Sequence, residues 1–282
     1  SVANSDEQDL PLFDFVETYP LPPELLTPNG AVITDDGTIW LADTTSSFFF
    51  SFDPVTEQFT QYVTAEPMLS TYGNQTGIIK SPISRPYWIE ADDQGRLVFN
   101  EQTSNNISVM DPKLQSLVEY HVPSKNPNWG DCDPGTGMML ADCGVAQIFD
   151  FTVDGEKIWF TEWAENNIGV VDTSIPLPLE IQLASNSLTT TPGNSKPIDF
   201  VVSPLSQKDL LGVSLILSST HDFLNIELVD APETFQLDFD APRPISLVIE
   251  TTDDAIPGTY KVLLGAQLSD VAISKYVTVT IE

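Results

Sequence analysis

Three segments of about 40 residues repeat one pattern of strands and turns, and this repeat constrains the fold more than any other feature. They begin at Thr27, Ser84 and Gly144. Each has an apolar strand, an acidic turn with glycine, a second strand ending in Asp or Glu, a third strand ending in Asp, and a fourth strand. The glycine supplies the positive φ that a tight hairpin requires. Four antiparallel strands per repeat predict the blades of a β-propeller.

Only three blades are legible in the 282 residues, whereas a closed propeller has about four to eight. A fan of three would leave two sheet edges exposed, which proteins avoid. The run from Phe13 to Tyr19 resembles the outer strand of a preceding blade. We therefore expect the chain to be the C-terminal part of a longer protein, or to share its ring with a second copy.

The sequence changes character after the third repeat. Residues 186–196 have the composition of a linker, rich in Ser, Thr, Asn, Pro and Gly. Turn signals then separate seven short strands, which predicts an immunoglobulin-like sandwich without the Cys pair and core Trp of antibody domains. These strands cover residues 198–202, 213–218, 225–229, 235–239, 245–250, 259–265 and 274–281.

The predicted organisation is therefore all-β, a partial propeller followed by an immunoglobulin-like sandwich. It has an N-terminal tail over residues 1–12, propeller blades over 13–185, the linker over 186–196 and the sandwich over 197–282.

The charge of the chain excludes one class of partner and leaves two interpretations open. There are 41 Asp and Glu residues against 11 Lys and Arg, a formal charge of -30. Nucleic acid is excluded because its phosphates require a basic surface. No apolar run approaches the roughly 18 residues of a membrane span, so direct membrane insertion is not expected. The acidic excess indicates either a solvated surface or sites for divalent ions.

The two cysteines and two sequons indicate the compartment. Cys132 and Cys143 stand eleven positions apart in a loop, and a disulfide there is favoured over a metal site, which would lack further Cys or His ligands. A disulfide implies an oxidising compartment, and the glycosylation sequons at Asn74 and Asn106 agree with it. The first residues carry no apolar signal segment. We expect an extracellular or cell-surface protein whose signal peptide is already absent.

Three acidic residues, Asp43, Glu101 and Glu162, end the second strands of their repeats. In a propeller the first strand enters from the face on which the second strand ends, so these side chains should share one face near the channel. A ring of carboxylates there would bind Ca²⁺ or Mg²⁺ through oxygen ligands. Alternatively, each carboxylate accepts backbone N–H groups in the turn that follows its strand.

Arg85, Trp88 and Trp163 are predicted to lie near the same face. Arg and aromatic residues at a propeller mouth suit contacts with a sugar or a peptide. They equally suit packing of one blade against the next, and both interpretations stay open.

Two strings in the third repeat resemble a known family. Residues 158–162 (IWFTE) and 166–172 (NNIGVVD) resemble the blade motif of virginiamycin B lyase and its relatives, seven-bladed propellers related to NHL-repeat and gluconolactonase-like proteins. The resemblance covers about residues 13–183. Together with the acidic immunoglobulin-like module, the chain resembles secreted propeller proteins of ammonia-oxidising archaea.

The resemblance implies the fold of that family without its catalysis. The family's lyase activity opens a cyclic depsipeptide by elimination, using histidines near the channel mouth, a carboxylate and a magnesium ion. The two histidines of this chain are His121, at the end of an outer strand, and His221, in the predicted sandwich. Neither stands where the family places its base. Catalytic residues are therefore unknown, and the sequence favours a protein that is not an enzyme.

Three functional hypotheses follow. The first is a secreted acidic surface protein that binds or assembles, with partners among other propeller blades (an N-terminal fragment or a second copy), a surface-layer protein or a glycan. The second is a metal-dependent lyase or lactone-type hydrolase whose catalytic residues lie partly in missing blades. The third is a carbohydrate- or peptide-binding module.

Overall fold

The computed structural model describes residues 15–68, 83–130, 132 and 143–282, and these residues form strands joined by turns. The predicted all-β class is confirmed for these ranges, whose helical structure amounts to short 3₁₀ turns such as Pro127–Trp129. Across the same ranges no helix has the length and apolar character needed to cross a membrane.

The first repeat is a four-stranded antiparallel meander. Its strands are β1 (Pro28–Ile33), β2 (Ile39–Asp43), β3 (Phe48–Asp53) and β4 (Gln58–Val63), and they pair in chain order. The second repeat follows the same order with β5 (Pro86–Ala91), β6 (Leu97–Glu101), β7 (Asn106–Asp111) and β8 (Ser116–His121). The third repeat forms a three-stranded sheet from β9 (Ile148–Asp154), β10 (Lys157–Glu162) and β11 (Asn167–Asp172).

The backbone repeats as well as the sequence. The turn between the first two strands contains a glycine with positive φ in every repeat: Gly37 at 85°, Gly95 at 76° and Gly155 at 59°. A second left-handed residue lies in the turn between the second and third strands. It is Asn105 in the second repeat and Asn166 in the third. Glycine and asparagine tolerate this conformation best, so local turn chemistry accounts for the hairpins.

The three repeats stack face to face. One face of the second repeat presents Leu97 and Phe99 to Trp40 and Phe49 of the first repeat. Its opposite face packs Val98 and Ile107 against the third sheet, where Ile158 and Phe160 are buried. Alternate residues of a strand point to opposite faces of its sheet. Since both faces of the second repeat are packed against a neighbouring sheet, its strands carry apolar residues on both sides.

The C-terminal part of the chain forms two sheets around one core. Its strands are β12 (Leu179–Leu183), β13 (Ser187–Thr190), β14 (Ser195–Pro204), β15 (Leu210–Ser219), β16 (Leu224–Leu228), β17 (Thr234–Leu237), β18 (Arg243–Thr251), β19 (Gly258–Gln267) and β20 (Val271–Ile281). One sheet has the order β12-β14-β18-β16, and the other contains β17-β15-β19-β20. Apolar side chains of both sheets form a single buried cluster between them. The seven predicted strands correspond to β14–β20.

Two pairings differ from the sequence expectation. The segment expected as the fourth strand of the third repeat is β12, which pairs with β14 of the C-terminal sheet. Pro176 and Pro178 precede β12, and proline lacks the N–H that a ladder requires, while Leu179 and Ile181 are buried in the C-terminal core. The segment with linker composition also contributes strands, because β13 pairs with β20 and β14 begins at Ser195.

The last strand joins the second repeat to the C-terminal sheets. Along one edge of β20, Val271–Lys275 pair antiparallel with β8, and Thr278–Ile281 pair parallel with β13. The second repeat and one C-terminal sheet are therefore a single continuous sheet. This pairing covers the outer edge of β8, which would otherwise be exposed.

Candidate functional site

Asp43 is fully buried at the end of β2, and its carboxylate is saturated by the turns around it. It accepts the backbone N–H of Thr27 at 3.0 Å and that of Thr45 at 3.2 Å. The hydroxyls of Thr45 and Ser46 donate to it at 3.1 and 2.9 Å. These contacts fit the turn-stabilising alternative for this residue.

Glu101, at the end of β6, forms a buried pair with Glu119 of β8. Both side chains have no exposed surface. The Ser108 hydroxyl donates to Oε1 of Glu101, and the backbone N–H of Ala65 donates to Oε1 of Glu119 at 3.0 Å. The two carboxyl groups also contact each other. Apart from that contact, their Oε2 atoms find no hydrogen-bond partner among the described residues.

The environment of the carboxyl pair penalises charge and favours the protonated form. Burial raises the pKa of Glu101, and burial together with the neighbouring Glu101 charge raises the pKa of Glu119 well above its ordinary value. A proton on one carboxyl group can be donated to the other, which relieves the repulsion between two buried charges. Since neither group reaches the surface, the pair is not available as an acid or base for a bound substrate.

Sequence reasoning missed Glu119, although the strand pattern contains a signal for it. Glu119 shares its face of β8 with Leu117, a fully buried core residue. Strand alternation therefore places an acid at an inward position. The pairing of Glu119 with Ser108 then brings it beside Glu101.

Glu162, the third predicted carboxylate, has its own local partner. It is 4% exposed, and Asn167 Nδ2 donates to its Oε2 at 2.9 Å. Across the described ranges no three or more His, Cys, Asp or Glu side chains are grouped so that they could hold a metal ion. As placed in the described residues, these carboxylates do not fit a shared ion. The Ca²⁺ or Mg²⁺ site stays a prediction from the sequence.

His121 lies at the end of β8 beside Asn106; Asn106 is buried and His121 is half-buried. His121 Nδ1 is 2.6 Å from the side-chain amide of Asn106. Burial lowers the pKa of His121 to about 4, so the ring is neutral at neutral pH. Asn106 is only 3% exposed, which argues against a glycan on its amide. The other sequon, at Asn74, lies outside the described residues.

The predicted disulfide is confirmed between Cys132 and Cys143. The backbone is tightly packed where the loop returns. Gly144 has a φ of 125°, and a Cβ there would lie 2.4 Å from the backbone of Asn126. The disulfide therefore closes a loop whose return point requires glycine.

Four aromatic side chains, three of them exposed and Tyr87 half-buried, form an aromatic strip that links the second and third repeats. Tyr87 and Phe149 have ring centroids 5.5 Å apart, Phe149 and Trp163 are 6.2 Å apart, and Trp163 and Trp129 are 5.3 Å apart. Trp163 is 63% exposed and Phe149 is 49% exposed. The strip contains one predicted residue, Trp163, and three that sequence reasoning missed.

The other two predicted residues lie beside the strip without joining its ring contacts. Trp88 is exposed, and its indole N–H donates to Glu90 at 3.4 Å. Arg85 is exposed at a left-handed backbone position with a φ of 57°. Its backbone N–H donates to the Ser46 carbonyl at 3.1 Å, so its main chain links the second repeat to the first.

The third sheet has an exposed face on which three apolar side chains lie among polar ones such as Thr152 and Thr161, and no described residue covers them. Trp159 lies opposite Val170 in the β10–β11 register, and Ile168 shares this face two residues earlier on β11. Their exposed fractions are 38%, 45% and 69%. The strand β11 also forms one edge of this sheet, because the chain continues into the C-terminal unit as β12. We call Trp159, Ile168 and Val170 the open face.

Comparisons with known proteins give only distant likenesses. No protein-family model matches the sequence, and no curated protein matches it. The structure of virginiamycin B lyase from Staphylococcus aureus is similar with a TM-score of 0.37 and 14% identity, covering 89% of this chain and 84% of that one. A streptogramin B lyase structure has a TM-score of 0.35 and 16% identity, covering 92% of this chain and 68% of that one.

A family 123 glycoside hydrolase from Clostridium perfringens is also similar, with a TM-score of 0.31 and 11% identity. The match covers 37% of this chain, and this chain spans 27% of that protein. All these likenesses are too distant to transfer the role of any residue.

Proposed function

We propose that this protein is a non-catalytic binding and assembly module of the cell exterior. Its three repeats are blades of a partial β-propeller, and its C-terminal sheets are an immunoglobulin-like sandwich that supports them. The open face docks a further propeller blade, supplied by an N-terminal fragment or by a second copy of the chain.

The open face carries this proposal. The two interfaces within the stack bury apolar and aromatic side chains between neighbouring sheets, as Phe49 packs against Phe99 with ring centroids 4.9 Å apart. The outer side of the third sheet also carries large apolar side chains, Trp159, Ile168 and Val170, and no described sheet covers them. Large apolar side chains that are grouped and exposed on one face of a sheet are typical of an interaction site. A docked blade would remove it from water at about 25 cal/mol per Å².

The chemistry of the interior supports binding over catalysis. The buried Glu101 and Glu119 are inaccessible to a substrate, and Asp43 is saturated by protein donors. His121 Nδ1 is engaged with Asn106. The alternative of a metal-dependent lyase or lactone-type hydrolase has no observation in its favour among the described residues.

Native mass spectrometry on protein isolated from its source tests the proposal. We expect a complex that contains an N-terminal fragment or a second copy, and a mass of one bare 31.0 kDa chain would contradict it. The variant Ile168→Asp should dissociate the complex because it puts a charge into the docked face. Leu211→Asp is the matched control, since Leu211 is 71% exposed on β15 of the C-terminal unit, away from both ends of the stack of repeats. Equal dissociation by both variants would also contradict the proposal.

A second candidate function is glycan binding at the aromatic strip. Aromatic rings offer flat apolar surfaces to a bound sugar. The strip places four such rings in a row, each in contact with the next. A glycan array should then give hits that Trp163→Ala removes. Trp88→Ala is the matched control, because Trp88 is 41% exposed but makes no ring contact with the strip. An array without hits would exclude this function.

A further inference from the structure

A cavity of about 300 Å³ lies between the first repeat and the C-terminal sheets, away from both surfaces described above. Its walls carry five aromatic rings and one carboxylate: Phe50, Phe59, His221, Phe223, Tyr260 and Glu24. This volume is at the lower end of the range for small-molecule sites, and the cavity opens to solvent with a lining of both polar and apolar groups.

One wall is a compact cluster of three rings from the C-terminal unit. His221 and Tyr260 have centroids 4.6 Å apart, Phe223 and Tyr260 are 5.0 Å apart, and His221 and Phe223 are 4.9 Å apart. Phe50 and Phe59 of the first repeat line the cavity from the other unit. A small molecule in the cavity would therefore meet aromatic rings from two directions.

The charge of the lining has a single sign. Glu24 is exposed, and it is the one charged residue among those that line the cavity in the described part of the chain. Its negative charge acts to raise the pKa of both His221 and Tyr260. Burial outweighs this effect at His221 and lowers the pKa of that ring, which favours its neutral form.

Most polar groups around the cavity are already bonded within the protein. The Tyr260 hydroxyl donates to the Ile256 carbonyl at 2.8 Å, and the Thr220 hydroxyl donates to the Lys261 carbonyl at 3.0 Å. Gln61 Nε2 donates to the Thr220 carbonyl at 3.4 Å. Few donors remain for the hydroxyls of a sugar. The aromatic rings of the lining and one carboxylate remain, and such groups attract a cation with an apolar shell.

We propose that this cavity binds a small organic cation of the quaternary-ammonium class. The cationic head lies against the faces of the aromatic rings, and the Glu24 carboxylate complements its charge. Aromatic rings stabilise such cations because the ring face carries partial negative charge. This site is independent of the open face and of the aromatic strip, so the proposed function and this inference can fail separately.

Isothermal titration calorimetry on the full 282-residue chain tests the inference with choline as the probe. The comparison ligand is 3,3-dimethylbutan-1-ol, which has the same shape without the charge. We expect saturable one-site binding of choline, with an affinity at least about tenfold above that of the alcohol. Equal affinities, or no choline binding, would overturn the inference.

Two variants and one control locate the site. Glu24→Gln should weaken choline binding several-fold and leave the folded structure intact, because Glu24 is exposed. Phe223→Leu should weaken it by removing a ring face while keeping an apolar side chain. Glu227→Gln removes one carboxylate from an exposed position that does not line the cavity, and it should leave the affinity unchanged. An equal loss of choline affinity in Glu227→Gln and Glu24→Gln would indicate that the net charge of the protein alone attracts choline. That result would overturn the proposed site.

Discussion

The carboxyl groups of Glu101 and Glu119 contact each other in the interior of the second repeat, where neither has exposed surface. Tyr276 of β20 and Tyr62 of β4 lie in the same buried region, with ring centroids 5.0 Å apart. Burial, followed by the charge of Glu119, raises the pKa of Tyr276 well above its ordinary value. The first repeat, the second repeat and the C-terminal unit therefore meet around an acid pair whose buried environment favours the protonated form.

The acid pair should make the folded protein lose stability as pH rises. Both pKa values are raised in the folded state, so the unfolded chain releases its protons first, above a pH of about 4.3. Stability should then fall by up to about 1.4 kcal/mol per pH unit until the folded pair ionises. Glu119→Gln should flatten this slope and stabilise the protein at alkaline pH, as measured by urea denaturation followed by tryptophan fluorescence.

Glu227→Gln controls for the removal of one negative charge, because Glu227 is exposed on β16. Its pH profile should match that of the wild type. A slope that persists unchanged in Glu119→Gln would show that the pair does not share a proton.

His121 should act at the opposite end of the pH range. Burial lowers its pKa to about 4, with the charge of Asp270 opposing this shift and that of Lys125 adding to it. The unfolded chain binds a proton near pH 6.5, so the stability that neutral His121 provides is present above that pH. It is lost as the pH falls from about 6.5 to about 4, by up to about 1.4 kcal/mol per pH unit.

Proton NMR can check this directly, because the chain contains only two histidines. The signal that disappears in His121→Gln should titrate near the low value. A midpoint at or above about 6.5 for that signal would refute the burial argument.

The Tyr276 hydroxyl should stabilise the junction between the first repeat and the C-terminal unit. It is buried and donates to the Val63 carbonyl at 2.8 Å. Tyr276→Phe should lower the free energy of unfolding by about 1 kcal/mol or more, because the carbonyl loses its partner without gaining water. Tyr260→Phe removes a hydroxyl that donates at the same 2.8 Å, to Ile256, in an exposed setting. Its cost should be smaller, and chemical denaturation that ranks the two variants in the reverse order would contradict the prediction.

The disulfide between Cys132 and Cys143 should stabilise its loop through the unfolded state. Replacing both cysteines by serine should cost about 3 kcal/mol or less, as closure of a short loop removes few conformations. Thermal melts of the wild type with and without reductant should show the same loss. A melting temperature that is unaffected by reductant, with two free thiols verified by mass spectrometry, would contradict this expectation.

Several features of the molecule follow from sequence alone because their causes are local. The Asp-Gly turn at Gly155 predicts a left-handed residue, and the structure has one there. The seven strands expected after residue 196 are present as β14–β20. The pairing of Cys132 with Cys143 required only a short loop and no competing cysteine. Turn chemistry and strand alternation act over a few residues, so a single sequence contains them.

The choice of strand partners was decided by tertiary structure. Alternation shows which face of β12 or β8 is apolar, but it does not show which strand will pair with its edge. The β8–β20 pairing joins Val118 to Ile273, residues that are remote in sequence. The Glu101–Glu119 pair likewise depends on the register across β7. The sequence thus determined the repeat, the turns and the disulfide. Non-local packing decided which sheet each strand joins and brought the buried acid pair together, because it selects among strand edges that look equivalent in the sequence.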